Sequence, residues 1–297
     1  MKLESESAAM RFARALGQDW LAWSLRRLHV PVPASALVLE VGSGGNPYPR
    51  ANVLLDAYLN TRERHYQRLV VDRPTVLARV ERMPFRDKAF DFVIASHVLE
   101  HSDDPEAFVA ELQRVARAGY IETPHAILER LCPYLDHRLE LSVDGDVLVA
   151  RRKGPSVERD IVASLAEDRL KPSRRWNRLL RLDPFQFHVR YYWSNVGGGV
   201  ALRLLDREKR YVPPEGGGEA PDAPMGRETL RQVVVGGIRR MATQGRRNRS
   251  IDLAALLRCE RCSRTNFRSE ANRVVCEDCG STFGRASPLL LVGAPSG

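Results

Sequence analysis

Ala36-Leu37-Val38-Leu39-Glu40-Val41-Gly42-Ser43-Gly44-Gly45 is the stretch that decides the fold. A short, continuous apolar run closed by glycines reads as a buried parallel strand entering a loop. Outward from it, the same kind of run recurs. Residues 52–56 read as a second strand, 75–80 as a weaker third, 90–96 as a fourth and 120–124 as a fifth. Residues 105–117 have the spacing of an amphipathic helix, with Phe108, Leu112 and Val115 on one face. Asp103 or Asp104 suits its N-cap and Gly119 its stop. Strands alternating with helical segments predict an α/β, doubly wound, Rossmann-like sheet.

The flanks follow other patterns. Residues 7–29 have helical periodicity through Met10, Phe12, Leu16, Trp20, Trp23 and Leu28, ended by Pro31 and Pro33. This reads as a packing helix; the flanking Arg11, Arg14, Arg26 and Arg27 leave a membrane-surface helix as the lesser alternative. Residues 139–143 and 147–150 flank Asp144-Gly145-Asp146, a hairpin signal. Residues 156–182 look helical with a break at Pro172. Residues 187–193 and 200–205 flank a glycine run and read as a second hairpin. The Pro- and Gly-rich 213–225 reads as a linker, followed by a helix over about 227–243.

Composition narrows the class. The chain has 297 residues, 43% hydrophobic and 28% charged, which excludes collagen-like and wholly disordered proteins. No apolar run nears the ~18 residues of a membrane helix. Met1–Glu6 carries acids and no apolar core, unlike a secretory signal, so a cytoplasmic protein with no membrane partner is expected. The net charge is +9, yet only five of the 46 basic residues are lysine. That skew fits a GC-rich genome at least as well as selection for a polyanion, so nucleic acid is an open but unfavoured partner.

The glycine loop can be sorted by chemistry. A P-loop ends in Gly-Lys-Ser/Thr, but Asn46 and Pro47 stand here. A dinucleotide loop needs a third glycine where Pro47 lies. A nucleoside-type ligand without phosphates remains. Asp56, ending the second strand, can accept hydrogen bonds from both hydroxyls of a ribose.

Residues 37–124 resemble a class I S-adenosylmethionine-dependent methyltransferase of the small-molecule type. The resemblance rests on the run from Leu39 to Gly44, on Asp56, on the Met83-Pro84-Phe85 segment through Val93, and on the run from Ser96 to His101 with Asp104 and Pro105. It implies that Gly42 and Gly44 face the methionine part of the cofactor, that Asp56 holds the ribose, and that Ser96 and His97 lie at the pocket mouth. With Glu40 and Val80, these give the expected cofactor set: Glu40, Gly42, Gly44, Asp56, Val80 and Ser96.

Two features depart from the family pattern. Only residues 45–51 separate the loop from the second strand, and Pro47 and Pro49 bar a helix there. The N-terminal helix is expected to cover the exposed sheet face. Arg79 stands where an acidic residue usually holds the adenine amine, with Glu81 two positions on. Adenine recognition then falls to backbone groups at Val80 and Arg82, or the chain is a cofactor-binding scaffold without catalysis.

Methyl transfer from a sulfonium is a displacement at carbon, so the protein mainly aligns the reactants. A base is needed where the acceptor must lose a proton. His97 and His125 are the candidate catalytic residues; His101 reads rather as a packing residue and His137 as a loop residue. Cys132 stands alone and reads as a buried structural thiol.

Cys259-Glu260-Arg261-Cys262 and Cys276-Glu277-Asp278-Cys279 are two knuckles thirteen residues apart. Two such knuckles complete a closed, four-thiolate zinc site, which is structural because no position stays open. The segment from Leu253 to Leu291 resembles the zinc-ribbon activators that partner RNA and protein methyltransferases. The Arg239, Arg240, Arg246, Arg247 and Arg249 cluster reads as a solvated linker, with an RNA-facing patch as the alternative.

The expectation is an S-adenosylmethionine-dependent methyltransferase acting on a small molecule, with RNA or protein acceptors as the alternative. Its parts are an N-terminal helix (1–30), a methyltransferase domain (31–212) with a substrate region at about 125–193, a linker and helix (213–250) and a zinc ribbon (251–297).

Overall fold

The computed structural model describes residues 3–61, 64, 67–155, 157–213, 236, 237, 239, 241–287 and 290–292. Nearly all of the expected linker and the helix at 227–243 lie outside these residues. The chain forms two compact units. One comprises Met1–Pro31, Ala95–Glu106 and Tyr120–Gly217; the other comprises Val32–Ile94, Ala107–Gly119 and Gly218–Gly297.

The second unit carries the glycine loop. Its strands are β1 (Val38–Val41), β2 (Val53–Asp56), β3 (Thr75–Leu77), the start of β4 (Phe90–Ser96) and the start of β5 (Ala116–Pro124). β1 and β2 are buried at every position, as their unbroken apolar runs require. β2 pairs in parallel with β1 and with β3, and the sheet order runs β3-β2-β1-β4-β5. The connection from β1 to β2 is non-helical, as the prolines dictate. The helix α3 (Pro105–Val115) ends earlier than its periodicity suggests. β5 begins at once at Ala116, because residues 116 and 118–124 are buried and pair in the sheet.

The cysteine module joins the same sheet. Its strands β10 (Phe267–Ser269), β11 (Arg273–Cys276), β12 (Thr282–Ser287) and β13 (Leu290–Val292) form an antiparallel run. β13 then lies parallel to β3, with Leu290 opposite Thr75 and Val292 opposite Leu77. Leu257 forms an antiparallel bridge with Phe85. Arg86 N donates to Leu256 O at 2.9 Å, and Arg258 N donates to Pro84 O at 3.0 Å.

A short helix, Gly245–Arg249, also belongs to this unit. Asn248 Oδ1 accepts from Asn52 Nδ2 at 2.8 Å, and Gln244 Oε1 accepts from the same amide at 3.0 Å. Arg247 donates to the Ala34 and Ser35 carbonyls. Arg239 lies 3.5 Å from Asp72. Two members of the arginine cluster therefore hold the fold, whereas Arg246 and Arg249 are exposed.

The first unit holds the N-terminal segment as two helices, α1 (Ala8–Ala15) and α2 (Asp19–Leu25), rather than one. Ser7 caps α1 by accepting from Met10 N. Met10, Ala13 and Ala22 form a small core with Leu25 and Phe185. The first hairpin forms as expected from β6 (Leu139–Asp144) and β7 (Val147–Arg152). The second does not. β8 (His188–Ser194) is the neighbour of β5, while β9 (Ala201–Leu205) pairs in parallel with β7 in a three-stranded sheet. The connection is a 3₁₀ turn over Asn195–Gly197 followed by left-handed Gly198 and Gly199, too long for a tight hairpin turn. Cys132 packs in a cluster with Leu128 and Ala166.

Candidate functional site

In the second unit, the glycine loop faces the end of β2. Gly44 has φ +58°, a region in which a side chain is strained. Its N–H donates to Asp56 Oδ2 at 3.0 Å. Glu40, buried in β1, accepts from Tyr48 N at 2.7 Å and so closes the loop from beneath. Ser43 is buried, and its hydroxyl has no partner among the described residues. Val80 is buried at the start of a 3₁₀ turn after β3, and Arg79 beside it contacts Tyr58 OH at 3.3 Å.

Asp56 is not open. Arg64 Nη1 donates to its Oδ1 at 2.8 Å and to the Tyr58 carbonyl, while Nη2 donates to the Leu59 carbonyl. Tyr58 N donates to the same carboxylate at 3.2 Å. Burial pushes the Asp56 carboxyl up despite Arg64 and the backbone donors. The carboxylate is thus satisfied by groups of the chain itself. A diol that displaced the Arg64 bonds would find the Asp56 carboxylate as its acceptor. The residues present fit a nucleoside-bearing cofactor.

The Met83–Phe85 segment is fixed by α3. Met83 N donates to Glu111 Oε2 at 2.7 Å, while Arg114 donates to the Met83 and Phe85 carbonyls at 2.8 and 2.6 Å.

The first unit holds a separate polar cluster around Glu122, fully buried near the end of β5. Arg26 binds it with two parallel bonds, Nε to Oε2 at 2.7 Å and Nη2 to Oε1 at 2.8 Å. The Tyr120 hydroxyl and Ser96 Oγ also donate to it. Burial favours the neutral acid, but the Arg26 guanidinium outweighs it and holds the Glu122 carboxyl well below the usual range. His97 sits at φ +58°, with Nε2 3.4 Å from Glu122 and Nδ1 3.4 Å from Glu100. Burial opposes charge on its imidazole, but these two carboxylates prevail and push it up to about 9. His97 is therefore cationic at neutral pH.

His125 is different. Its Nδ1 accepts from Ile127 N at 3.1 Å and caps the helix Ala126–Leu131. Partial burial, helped by Arg130, lowers its pKa, so it is neutral at pH 7. Ser96, His97 and His125 belong to the first unit; Glu40, Gly42, Gly44, Asp56 and Val80 belong to the second. Sequence reasoning missed Arg26, Arg64 and Ser43. An acid inside an otherwise apolar strand was the available signal for Glu122. Nothing in the sequence pairs Arg26 with it across 96 positions.

Cys259, Cys262, Cys276 and Cys279 converge, with all four sulfurs within 4.8 Å of one another. Cys259 and Cys279 Sγ lie 3.5 Å apart, and Cys262 and Cys276 Sγ lie 3.6 Å apart. Four sulfurs at ~2.3 Å from one zinc stand about 3.8 Å apart, so the donor set fits that ion. The two knuckles match in detail: Ser263 N donates to Cys259 O at 2.8 Å and Gly280 N to Cys276 O at 2.9 Å. Ser263 and Gly280 both take positive φ, which explains the glycine in the second knuckle.

Residues 39–121 match the family model described as a methyltransferase domain. The match covers less than a third of the chain. That match begins in the glycine-loop strand and includes Asp56, the Met83–Phe85 turn and most of β5. No curated protein matches the sequence at significance. Among solved structures, an S-adenosylmethionine-dependent methyltransferase from Thermotoga maritima shares 20% identity over 39% of this chain and 59% of its own, with a TM-score of 0.27. The chain thus spans about three fifths of that relative's length. An S-adenosylmethionine-dependent methyltransferase from Mesorhizobium loti shares 12% identity over 58% of this chain and 96% of its own, at TM-score 0.32. A complex of the Trm112 methyltransferase activator with a methyltransferase, from Haloferax volcanii, matches at 13% identity over 66% of this chain and 94% of that one, at TM-score 0.33. Among the described residues no helix is long and apolar enough to cross a membrane.

Proposed function

We propose that the protein is an S-adenosylmethionine-dependent methyltransferase whose acceptor is a small molecule. The observation that carries this reading is Asp56 at the carboxyl end of β2, bonded to the backbone of Gly44 in the loop after β1. In this reading Asp56 takes the ribose hydroxyls, Gly42 and Gly44 let the methionine part approach, Glu40 braces the loop, and backbone at Val80 meets the adenine. When bound, the cofactor supplies a methyl group already activated on sulfur, and the chain's residues bind and orient.

His97 and His125 divide the acceptor chemistry. His97, held cationic by Glu100 and Glu122, donates a hydrogen bond to a polar or anionic acceptor group. His125, whose Nδ1 accepts from Ile127 N, offers its Nε2–H as a hydrogen-bond donor to the acceptor. Functionally, residues 31–212 form the methyltransferase region behind a helical segment at 1–30, and 213–250 link it to a zinc-holding module at 251–297. That zinc is structural and its module supports the domain in cis, as the pairing of β13 with β3 suggests. The protein works in the cytoplasm. The test is transfer of labelled methyl from the cofactor into pools of small-molecule acceptors. Labelling of RNA or protein alone would overturn the acceptor class.

A further inference from the structure

We propose that Glu100, His101 and His137 bind a divalent first-row transition-metal ion, at a site distinct from the four cysteines. Each residue offers one ligand atom, and these atoms lie within 4.8 Å of one another in the first unit. Glu100 is 1% exposed, and neither of its carboxylate oxygens makes a hydrogen bond among the described residues. The His97 imidazole pairs with it, Nδ1 to Oε1 at 3.4 Å. His97 compensates that carboxylate from one side only; neither oxygen accepts a hydrogen bond, so both remain able to ligate an ion.

The two imidazoles are prepared in the manner of ligands. A metal-bound histidine donates its other ring N–H to a carboxylate or carbonyl, which fixes the ring and its tautomer. His137 Nδ1 lies 2.8 Å from Glu129 Oε2, and His101 Nδ1 lies 3.2 Å from Asp136 O. Glu129 is fixed in turn by Lys153 Nζ and by Tyr134 N at 2.9 Å. Tyr134 stacks on the His137 ring at 4.6 Å. Both Nδ1 atoms being engaged, each ring has Nε2 left for an ion. The backbone fixes the third side of the site: Arg138 N donates to Glu100 O at 2.7 Å, and Arg138 Nη1 to His101 O at 2.9 Å.

Two imidazoles and one carboxylate suit Zn²⁺, Co²⁺, Mn²⁺ or Fe²⁺ rather than Mg²⁺ or Ca²⁺, which favour oxygen alone. Ligand atoms at ~2.1 Å from one ion stand about 3–4 Å apart, so binding draws these three together only slightly. Three protein ligands leave at least one position open, unlike the closed cysteine site.

The test is Co²⁺ titration of the full chain with its cysteine site already loaded with zinc. We expect one further equivalent of Co²⁺ to bind, with visible d–d absorption and no thiolate charge-transfer band. The H101A/H137A double variant should lose that equivalent. The E129Q variant, which keeps all three ligands, should weaken it about 10- to 100-fold. Thermal melting reports whether each variant is folded. Failure of the zinc-loaded wild-type chain to take up Co²⁺ would overturn the proposal, as would uptake unchanged in a folded double variant. None of these readouts depends on methyl transfer.

Discussion

Arg64 Nη1 donates to Asp56 Oδ1 at 2.8 Å, so the carboxylate expected to hold a ribose is already bonded to a cation of the same unit. In the proposed site, cofactor binding would exchange that bond for the two ribose hydroxyls. The R64A variant removes the competitor while leaving Asp56 in place. Calorimetry should show it binding the cofactor more tightly than wild type, by about threefold to tenfold for the ~1 kcal/mol of one net hydrogen bond. Weaker binding would mean that Arg64 itself contacts the cofactor.

The Arg26–Glu122 pair ties the N-terminal helices to β5. Breaking a buried ion pair by removing one partner costs about 3–5 kcal/mol. The R26A variant should lose stability on that scale in a urea titration. Deleting residues 1–30 removes Arg26 and part of the Met10 core together. That truncation should be insoluble or molten, and a well-folded product would contradict this role.

The same pair sets an acid limit. Glu122 is held below its ordinary pKa in the folded state, so its contribution is complete above the unfolded value of ~4.3 and is lost as pH falls. The E122Q variant should show a flatter fall of melting temperature between pH 5 and 3 than wild type does. A parallel fall would assign the acid sensitivity elsewhere.

Disrupting the proposed zinc site should unfold more than a distal module. β13 extends the sheet beside β3, and Leu257 bridges to Phe85, which sits in the Met83–Phe85 turn. The C279S variant should therefore lose zinc and lower the melting temperature of the whole second unit. Hydrogen exchange should rise in β3 as well as in β10–β12. Faster exchange confined to residues 259–287 would show an independent module.

The central sheet was legible because β1 and β2 are buried on both faces and their sequence says so without help. The cysteine site was legible because two knuckles carry their own geometry. The second hairpin misled because strand propensity does not name a partner: β8 and β9 are adjacent in sequence yet lie in different sheets. Arg26, Arg64 and Ser43 were not readable for a similar reason. Their roles depend on groups brought in by tertiary contacts, over 96 positions for Arg26, and on which polar atoms remain unsatisfied after folding. The arginine cluster, ambiguous in sequence, gains meaning only from Arg247 reaching the Ala34 and Ser35 carbonyls.

The most direct test of the central claim is calorimetric titration of the full chain with S-adenosylmethionine, for wild type and for the D56A variant. The account predicts one cofactor per wild-type chain and at least about tenfold weaker binding by a folded variant, since charged hydrogen bonds contribute ~1.5–3 kcal/mol. No binding to the wild-type chain, or equal binding by the variant, would contradict it.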